Sequence, residues 1–217
     1  LDKSQSHYLI KVMRVRIGNN FSLFNNSGEW TAKINQISKG IVEFTIVEKI
    51  KQKENTPNIW LAFSPIKSNY FNFMIQKSTE LGVTKFIPII TDRTIVRKVN
   101  SERIKKIIIE ACEQSNRIVV PNLEKTISLN KFINNNQEVN IILGDLNSKE
   151  KKLNLKKINV KKPICILIGP EGDFTELERE KIYKSKNIQY LRINKNILRS
   201  ETAAISALSI VNYFLEL

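Results

Sequence analysis

The sequence is poor in the side chains on which most metal sites and catalytic triads are built. It has one histidine, His7, and two cysteines, Cys112 and Cys165, in 217 residues. A single histidine and no CxxC spacing leave no basis for a zinc site or a histidine-based triad. Cys112 falls in a helical pattern and Cys165 inside an apolar strand, so both are expected to be buried, reduced thiols of a cytoplasmic protein. Glycine is also scarce, at 7 residues. Neither G-x-G-x-x-G nor G-x-x-x-x-G-K-[ST] occurs, which removes the main support for a dinucleotide or P-loop enzyme. No apolar run is long enough to cross a bilayer, and no three-part signal peptide is seen. The chain opens on Leu1 rather than Met, so its natural N-terminus is expected to lie outside this sequence.

Positive charge, by contrast, is abundant. Lys and Arg number 35 against 21 Asp and Glu, a formal charge of +14. Such an excess suits a polyanionic partner, because each neutralised phosphate releases counterions. The lysines are scattered among many Asn and Ile, however, and the tract from Lys149 to Lys162 reads equally as a solvated loop.

Two patterns divide the chain. Over the first sixty or so residues, Phe21–Phe24, Trp30–Ile37 and Ile41–Ile50 read as short strands, with turn chemistry at 25–28, and predict a small β-barrel over 1–57. The polar stretch from Lys51 to Asn58 is the expected linker. From Ile59 onward strands and helices alternate. Strands are predicted at Ile59–Phe63, Phe86–Ile90, Ile141–Gly144, Ile164–Ile168 and Tyr190–Ile193. Helices are predicted at Asn69–Leu81, Ser101–Gln114, Thr175–Lys186 and Ser200–Leu217. Thr175 and Glu178 have capping-box spacing. This alternation predicts an α/β domain over 58–217 with a mainly parallel sheet covered on both faces.

Two loops carry the chemistry. The strand Ile164–Ile168 runs into Gly169-Pro170-Glu171-Gly172, where the glycines are expected to allow close backbone approach and positive φ, and Pro170 stiffens the turn. Taken alone, this stretch is equally an ordinary tight turn. The second loop, 193–200, precedes a helix rich in small residues, with Arg199 and Glu201 at its mouth.

Taken together, these stretches resemble the SPOUT class of methyltransferases. More narrowly, the whole chain is similar to the RsmE family, which methylates N3 of a uridine in bacterial 16S ribosomal RNA. The resemblance is carried by His7-Tyr8-Leu9-Ile10-Lys11-Val12-Met13-Arg14, by Ile75-Gln76-Lys77-Ser78-Thr79-Glu80-Leu81-Gly82-Val83, and by Ile87-Pro88 with Thr91-Asp92-Arg93. It continues through Glu110-Ala111-Cys112-Glu113-Gln114-Ser115-Asn116-Arg117, the Gly-Pro-Glu-Gly turn and Ile197-Leu198-Arg199-Ser200-Glu201-Thr202-Ala203.

The resemblance implies a PUA-like RNA-binding β-barrel, then a SPOUT domain with a C-terminal trefoil knot. It also implies a homodimer, S-adenosyl-L-methionine as cofactor, and 16S rRNA of the small ribosomal subunit as partner, with neither metal nor membrane. By position, Leu143, Gly144, Ile168, Gly169, Pro170, Glu171, Gly172, Ile193, Asn194, Ile197, Leu198 and Arg199 would line the cofactor pocket. Arg199 is assigned to hold the uracil carbonyl or phosphate, Glu201 to orient Arg199, and Glu171 to accept a hydrogen bond from target or cofactor. Lys11, Arg14, Arg16, Arg93 and Arg117 are candidate RNA contacts.

The chain departs from the family pattern at three places. Asp173 stands where a second glycine is usual, Asn194 stands for a glycine, and Asn196 stands for an arginine. Asn194 is expected to keep the turn by tolerating the left-handed region, and the family's first strand before His7 is expected to lie outside this sequence. Two other readings stay open: a SPOUT methyltransferase of another RNA site, and a non-catalytic RNA-binding or ribosome-assembly protein on the same fold.

Overall fold

The computed structural model describes residues 1–53, 55–145 and 158–215. The expected loop tract between 149 and 157 and the last two residues of the expected C-terminal helix lie outside the described residues. The chain divides into two compact units, Leu1–Asn55 and Thr56–Leu217.

The first unit is not β throughout. Asp2 and Gln5 form a capping box that starts helix α1 (Lys3–His7), which runs into a π-helical turn over Tyr8–Val12 closed by Met13 N–H on the Tyr8 carbonyl at 3.1 Å. The polar spacing around Leu9 and Ile10 suits a helix laid on a sheet, and Leu9 is buried in the unit's core. Buried Ser6 ties this helix to the strands by accepting the Val42 N–H at 3.0 Å. Three antiparallel strands follow in the order β1 (Asn20–Asn25), β2 (Gly28–Ser38), β3 (Ile41–Gln52). The expected linker therefore begins inside β3, where Lys51 pairs with Glu29. Irregularities in the β2–β3 register coil the ribbon. Phe21, Ala32, Ile34 and Val42 fill its inner face, with Phe44 edge-on to Phe21 at 5.6 Å.

The second unit is a parallel sheet. Its strands are β4 (Ile59–Phe63), β5 (Val83–Ile90), β6 (Asn122–Leu123), β7 (Ile127–Ser128), β8 (Asn140–Gly144), β9 (Ile164–Ile168) and β10 (Ile188–Leu191). They are ordered β10-β8-β9-β4-β5-β6, with β7 also on β5. Every residue of β4 and β9 is buried, as expected of parallel strands covered on both faces. One face carries α4 (Leu129–Asn135) and α5 (Glu176–Lys184), whose Phe132, Ile133 and Ile182 pack on Trp60, Ile87, Leu143 and Leu167. The other carries α2 (Ser68–Glu80), α3 (Ser101–Gln114) and α6 (Ser200–Phe214). There Phe63 sits between Phe71 at 5.6 Å and Phe86 at 6.4 Å.

The short strands β6 and β7 and helix α4 were not anticipated from sequence. Both cysteines are buried. Burial pushes the Cys112 thiol up to about 11, against the lowering charge of Arg117, and the Cys165 thiol up to about 12. Among the described residues no helix is long and apolar enough to cross a membrane.

Candidate active site

β4 is flanked by β5, the next strand in sequence, and by β9, which enters much later. Strand order reverses here, so the connections leaving the C-terminal ends of β4 and β9 diverge and open a crevice, where α/β sheets commonly bind ligands. The two strands stay together to their ends, since Ser64 N–H donates to the Ile168 carbonyl at 3.1 Å.

The loop after β9 is a tight turn closed by Asp173 N–H on the Pro170 carbonyl at 2.9 Å. Gly169 is required by proximity: a Cβ there would lie 2.7 Å from the buried Phe174 ring. The expectation of positive φ at Gly169 and Gly172 is not met. The left-handed residue is Asp173, with φ 61°. Its carboxylate makes that conformation tolerable by accepting the Phe174 N–H at 2.7 Å and pairing with Arg179 on α5. The departure at 173 thus carries its own compensation. Arg93, from the loop after β5, donates to the Gly172 carbonyl at 2.8 Å and holds the turn from the other side.

The loop after β10 meets the ends of β8 and β9. Leu191 registers with Gly144, and Asp145 N–H donates to the Leu191 carbonyl at 3.0 Å. A Cβ on Gly144 would lie 2.9 Å from Ile193 Cδ1 and 3.9 Å from Ile168 Cδ1. The structure therefore brings together Gly144, Ile168 and Ile193, three of the residues expected to line one pocket. Asn194 does not take the left-handed conformation expected of it. Instead its side-chain oxygen accepts the Asn196 N–H at 3.0 Å, an Asx turn that shapes the loop without a glycine. Ile197 is 86% exposed.

Arg199 occupies the N-cap position of α6 and is exposed. Its guanidinium carbon lies 5.0 Å from the Tyr70 ring centroid. A hydrogen bond with Tyr70 raises its pKa, reinforced by the charges of Glu201 and, more weakly, Glu171. Glu201 is buried beside it. The three side chains assigned to chemistry from sequence, from two different loops, thus share one electrostatic neighbourhood. Tyr70 was missed; the available signal was a large aromatic left exposed in the polar first turn of α2.

A shallow cleft adjoins this group, lined by Pro65, Lys67, Arg93, Ile95, Pro170 and Glu171. Lys67 and Arg93 make its rim basic, and Arg93 reaches it while holding the Gly172 carbonyl.

Arg117, a candidate RNA contact from sequence, is engaged within the second unit. It is half-buried, and its guanidinium donates to the Thr79 carbonyl near the end of α2 and to the Val83 carbonyl at 3.0 Å. Burial lowers its pKa. It staples α2 to β5, and its other terminal nitrogen is buried without a hydrogen-bond partner. In the first unit, Lys11, Arg14 and Arg16 are exposed, Lys11 in the π-helical turn and Arg14 in a left-handed bend at φ 54° rather than along a strand edge. Exposed Tyr8, Val12, Met13 and Ile17 alternate with them.

A parallel α/β sheet whose late strands bring two loops together at the switch point matches the family model described as the RNA methyltransferase domain, over residues 52–212. Residues 1–47 match the RNA methyltransferase PUA domain. Ribosomal RNA small subunit methyltransferase E of Rickettsia conorii is 35% identical over 205 residues, covering 94% of this chain and 84% of the relative. The protein of the same name from Synechocystis is 31% identical, covering 100% of this chain and 73% of that one. The crystal structure of ribosomal RNA small subunit methyltransferase E from Neisseria gonorrhoeae, bound to S-adenosyl methionine, superposes with a TM-score of 0.87 at 32% identity. It covers 99% of this chain and 90% of that one. The chain belongs to the ribosomal RNA small subunit methyltransferase E family.

Proposed function

We propose that this chain transfers a methyl group from S-adenosyl-L-methionine to N3 of a uridine in the 16S rRNA of the small ribosomal subunit. The observation that carries this reading is the meeting of Gly144, Ile168 and Ile193 at the ends of β8 and β9, together with the grouping of Arg199, Glu201 and Glu171 from the two loops that follow. Family membership and the S-adenosyl methionine bound in the gonococcal relative support it.

The residues present fit such a cofactor. Ile193 packs over Gly144 where a side chain would clash, with Ile168 alongside, an apolar corner at the ends of β8 and β9. The turns at 169–172 and 193–198 supply the surrounding backbone polar groups. When bound, S-adenosylmethionine supplies an electrophilic methyl group on a cationic sulfur.

The chain's own residues must do the rest. Uridine N3 is a poor nucleophile until its proton leaves, so a fixed cation facing the uracil carbonyl favours the anion. Arg199, held by Tyr70 and oriented by Glu201, takes that part. Glu171, exposed on the neighbouring turn, accepts a hydrogen bond from target or cofactor. The basic cleft with Lys67 and Arg93 receives the target nucleotide, which must be exposed or flipped from its stack. Lys11, Arg14 and Arg16 bind phosphates from the first unit, over a domain division near residue 57. A C-terminal trefoil knot and a cytoplasmic homodimer belong to the same reading. Exposed Phe73 on α2 and Tyr213 on α6 are the apolar surface that supports a dimer.

The test is methyl transfer from labelled S-adenosylmethionine to small subunits from cells that lack the modification, with mass mapping of the product. Label at N3 of a 16S uridine is expected. Label confined to another RNA overturns the substrate, and no binding of millimolar S-adenosylmethionine overturns the enzyme reading in favour of a non-catalytic RNA-binding protein.

A further inference from the structure

Arg179 lies outside both loops of the candidate site, on α5, yet it touches the chain at two of the places where the cofactor would sit. One guanidinium nitrogen is 3.7 Å from the carboxylate of Asp145, the residue after β8, and another pairs with the carboxylate of Asp173, the residue after the Gly-Pro-Glu-Gly turn of β9. Asp145 is buried, with its side chain 5% accessible, and Arg179 is itself only 20% accessible. A buried carboxylate needs such a partner, because an uncompensated charge there is expensive. The geometry is a fork: the rigid planar donor set of one arginine reaches two carboxylates on two loops. Burial opposes the charge on Arg179, but Asp173, Asp145 and the Tyr183 hydroxyl together raise its pKa, so it stays cationic. Tyr183, one turn along α5, packs its ring 5.2 Å from Tyr190 of β10, which carries the same support to the third strand of the site.

We propose that Arg179 is a positioning residue for S-adenosylmethionine: by pairing at once with Asp145 and Asp173 it locks the end of β8 to the turn after β9. Asp173 needs this lock, because its left-handed φ of 61° is held through a carboxylate shared between the Phe174 N–H and Arg179. Gly144, one residue before Asp145, lies against Ile193, so loss of the pair is felt in the third loop as well. The inference rests on the proposed cofactor site.

Two measurements on the full chain test it. In the first, calorimetry with S-adenosylmethionine, Arg179→Met should weaken binding roughly tenfold, and Arg179→Lys should recover part of that loss, since a lysine keeps the charge but not the fork. In the second, hydrogen exchange of the cofactor-free protein, amides at 144–145 and 171–174 should exchange faster in Arg179→Met than in wild type. Asp173→Asn is the second variant; it keeps the left-handed tolerance and the acceptor for Phe174 N–H, and removes only the charge toward Arg179. It should show both effects in weaker form. A variant with a lower melting temperature but wild-type affinity and wild-type exchange at these amides would make Arg179 merely structural and overturn the inference. Wild-type protein that binds no S-adenosylmethionine would overturn the proposed function, and this inference with it; wild-type binding with unchanged affinity in both variants overturns this inference alone.

Discussion

Arg199 stacks over Tyr70, its guanidinium carbon 5.0 Å from the ring centroid. The pair joins the N-cap of α6 to the first turn of α2, so the arginine's direction is set before any ligand arrives. An aromatic face suits a guanidinium in this role, because it holds the cation without neutralising it.

The first prediction concerns this pair. Arg199→Ala should slow single-turnover methylation about a hundredfold or more, as loss of a preorganised charge stabiliser does. Tyr70→Ala should cost less, and Tyr70→Phe least, because the phenyl ring keeps the stacking and loses only the hydroxyl. Wild-type rates for Arg199→Ala would remove it from the mechanism.

Gly169→Ala should destabilise the second unit by about 1–3 kcal/mol, the usual cost of forcing atoms into a packed core. The new methyl meets the buried Phe174 ring at 2.7 Å. Gly144→Ala meets only the mobile end of Ile193 at 2.9 Å. It should cost less stability and show its effect in S-adenosylmethionine affinity. Urea denaturation beside calorimetry separates the two.

Arg117→Met should lower stability by roughly 2 kcal/mol, because the carbonyls of Thr79 and Val83 lose their charged donor. It should leave the salt dependence of RNA binding where it was. Charge reversal at Lys11, Arg14 or Arg16 should do the opposite, reducing the slope of log affinity against log salt by roughly 0.7 for each phosphate no longer neutralised. Filter binding across a salt series distinguishes these outcomes.

Neither thiol should react quickly with a disulfide reagent in the native protein at pH 8, and both should react after denaturation. Burial raises Cys112 to about 11 and Cys165 to about 12 from an ordinary 9.0. Above pH 9 the unfolded chain has lost thiol protons that the folded chain keeps, so stability must fall as pH rises from 9 toward 12. Denaturation midpoints across that window check the sign.

Much of this was legible in the sequence, and the pattern of misses is physical. Ile59–Phe63, Ser101–Gln114 and Ile164–Ile168 were placed with their bounds intact, because buried parallel strands and amphipathic helices write their periods plainly. The capping box at Thr175 and Glu178 was also as read. The opening helix was missed because one strong β-pattern after it coloured the whole first unit. β6 and β7 were missed because two-residue strands have no period at all, and α4 because its seven residues make barely two turns. The two non-glycine loop residues were misread in one respect. Asp173, not a neighbouring glycine, bends left, and Asn194 acts through its side chain. Backbone conformation at such positions depends on partners, such as Arg179, that lie on other elements. The anchoring of Arg117 was not legible because the carbonyls it satisfies are distant in sequence.

The pairing of Ile59 with Ile164 sets an order of events during synthesis. Among the described residues, strands β1 to β3 pair only with near neighbours and can close soon after they leave the ribosome. β4 emerges soon after them with a wholly apolar edge that stays open until β9 is made. The second unit is therefore most vulnerable to aggregation while its central strand waits, and a chain halted in that interval is the form a chaperone would need to shield.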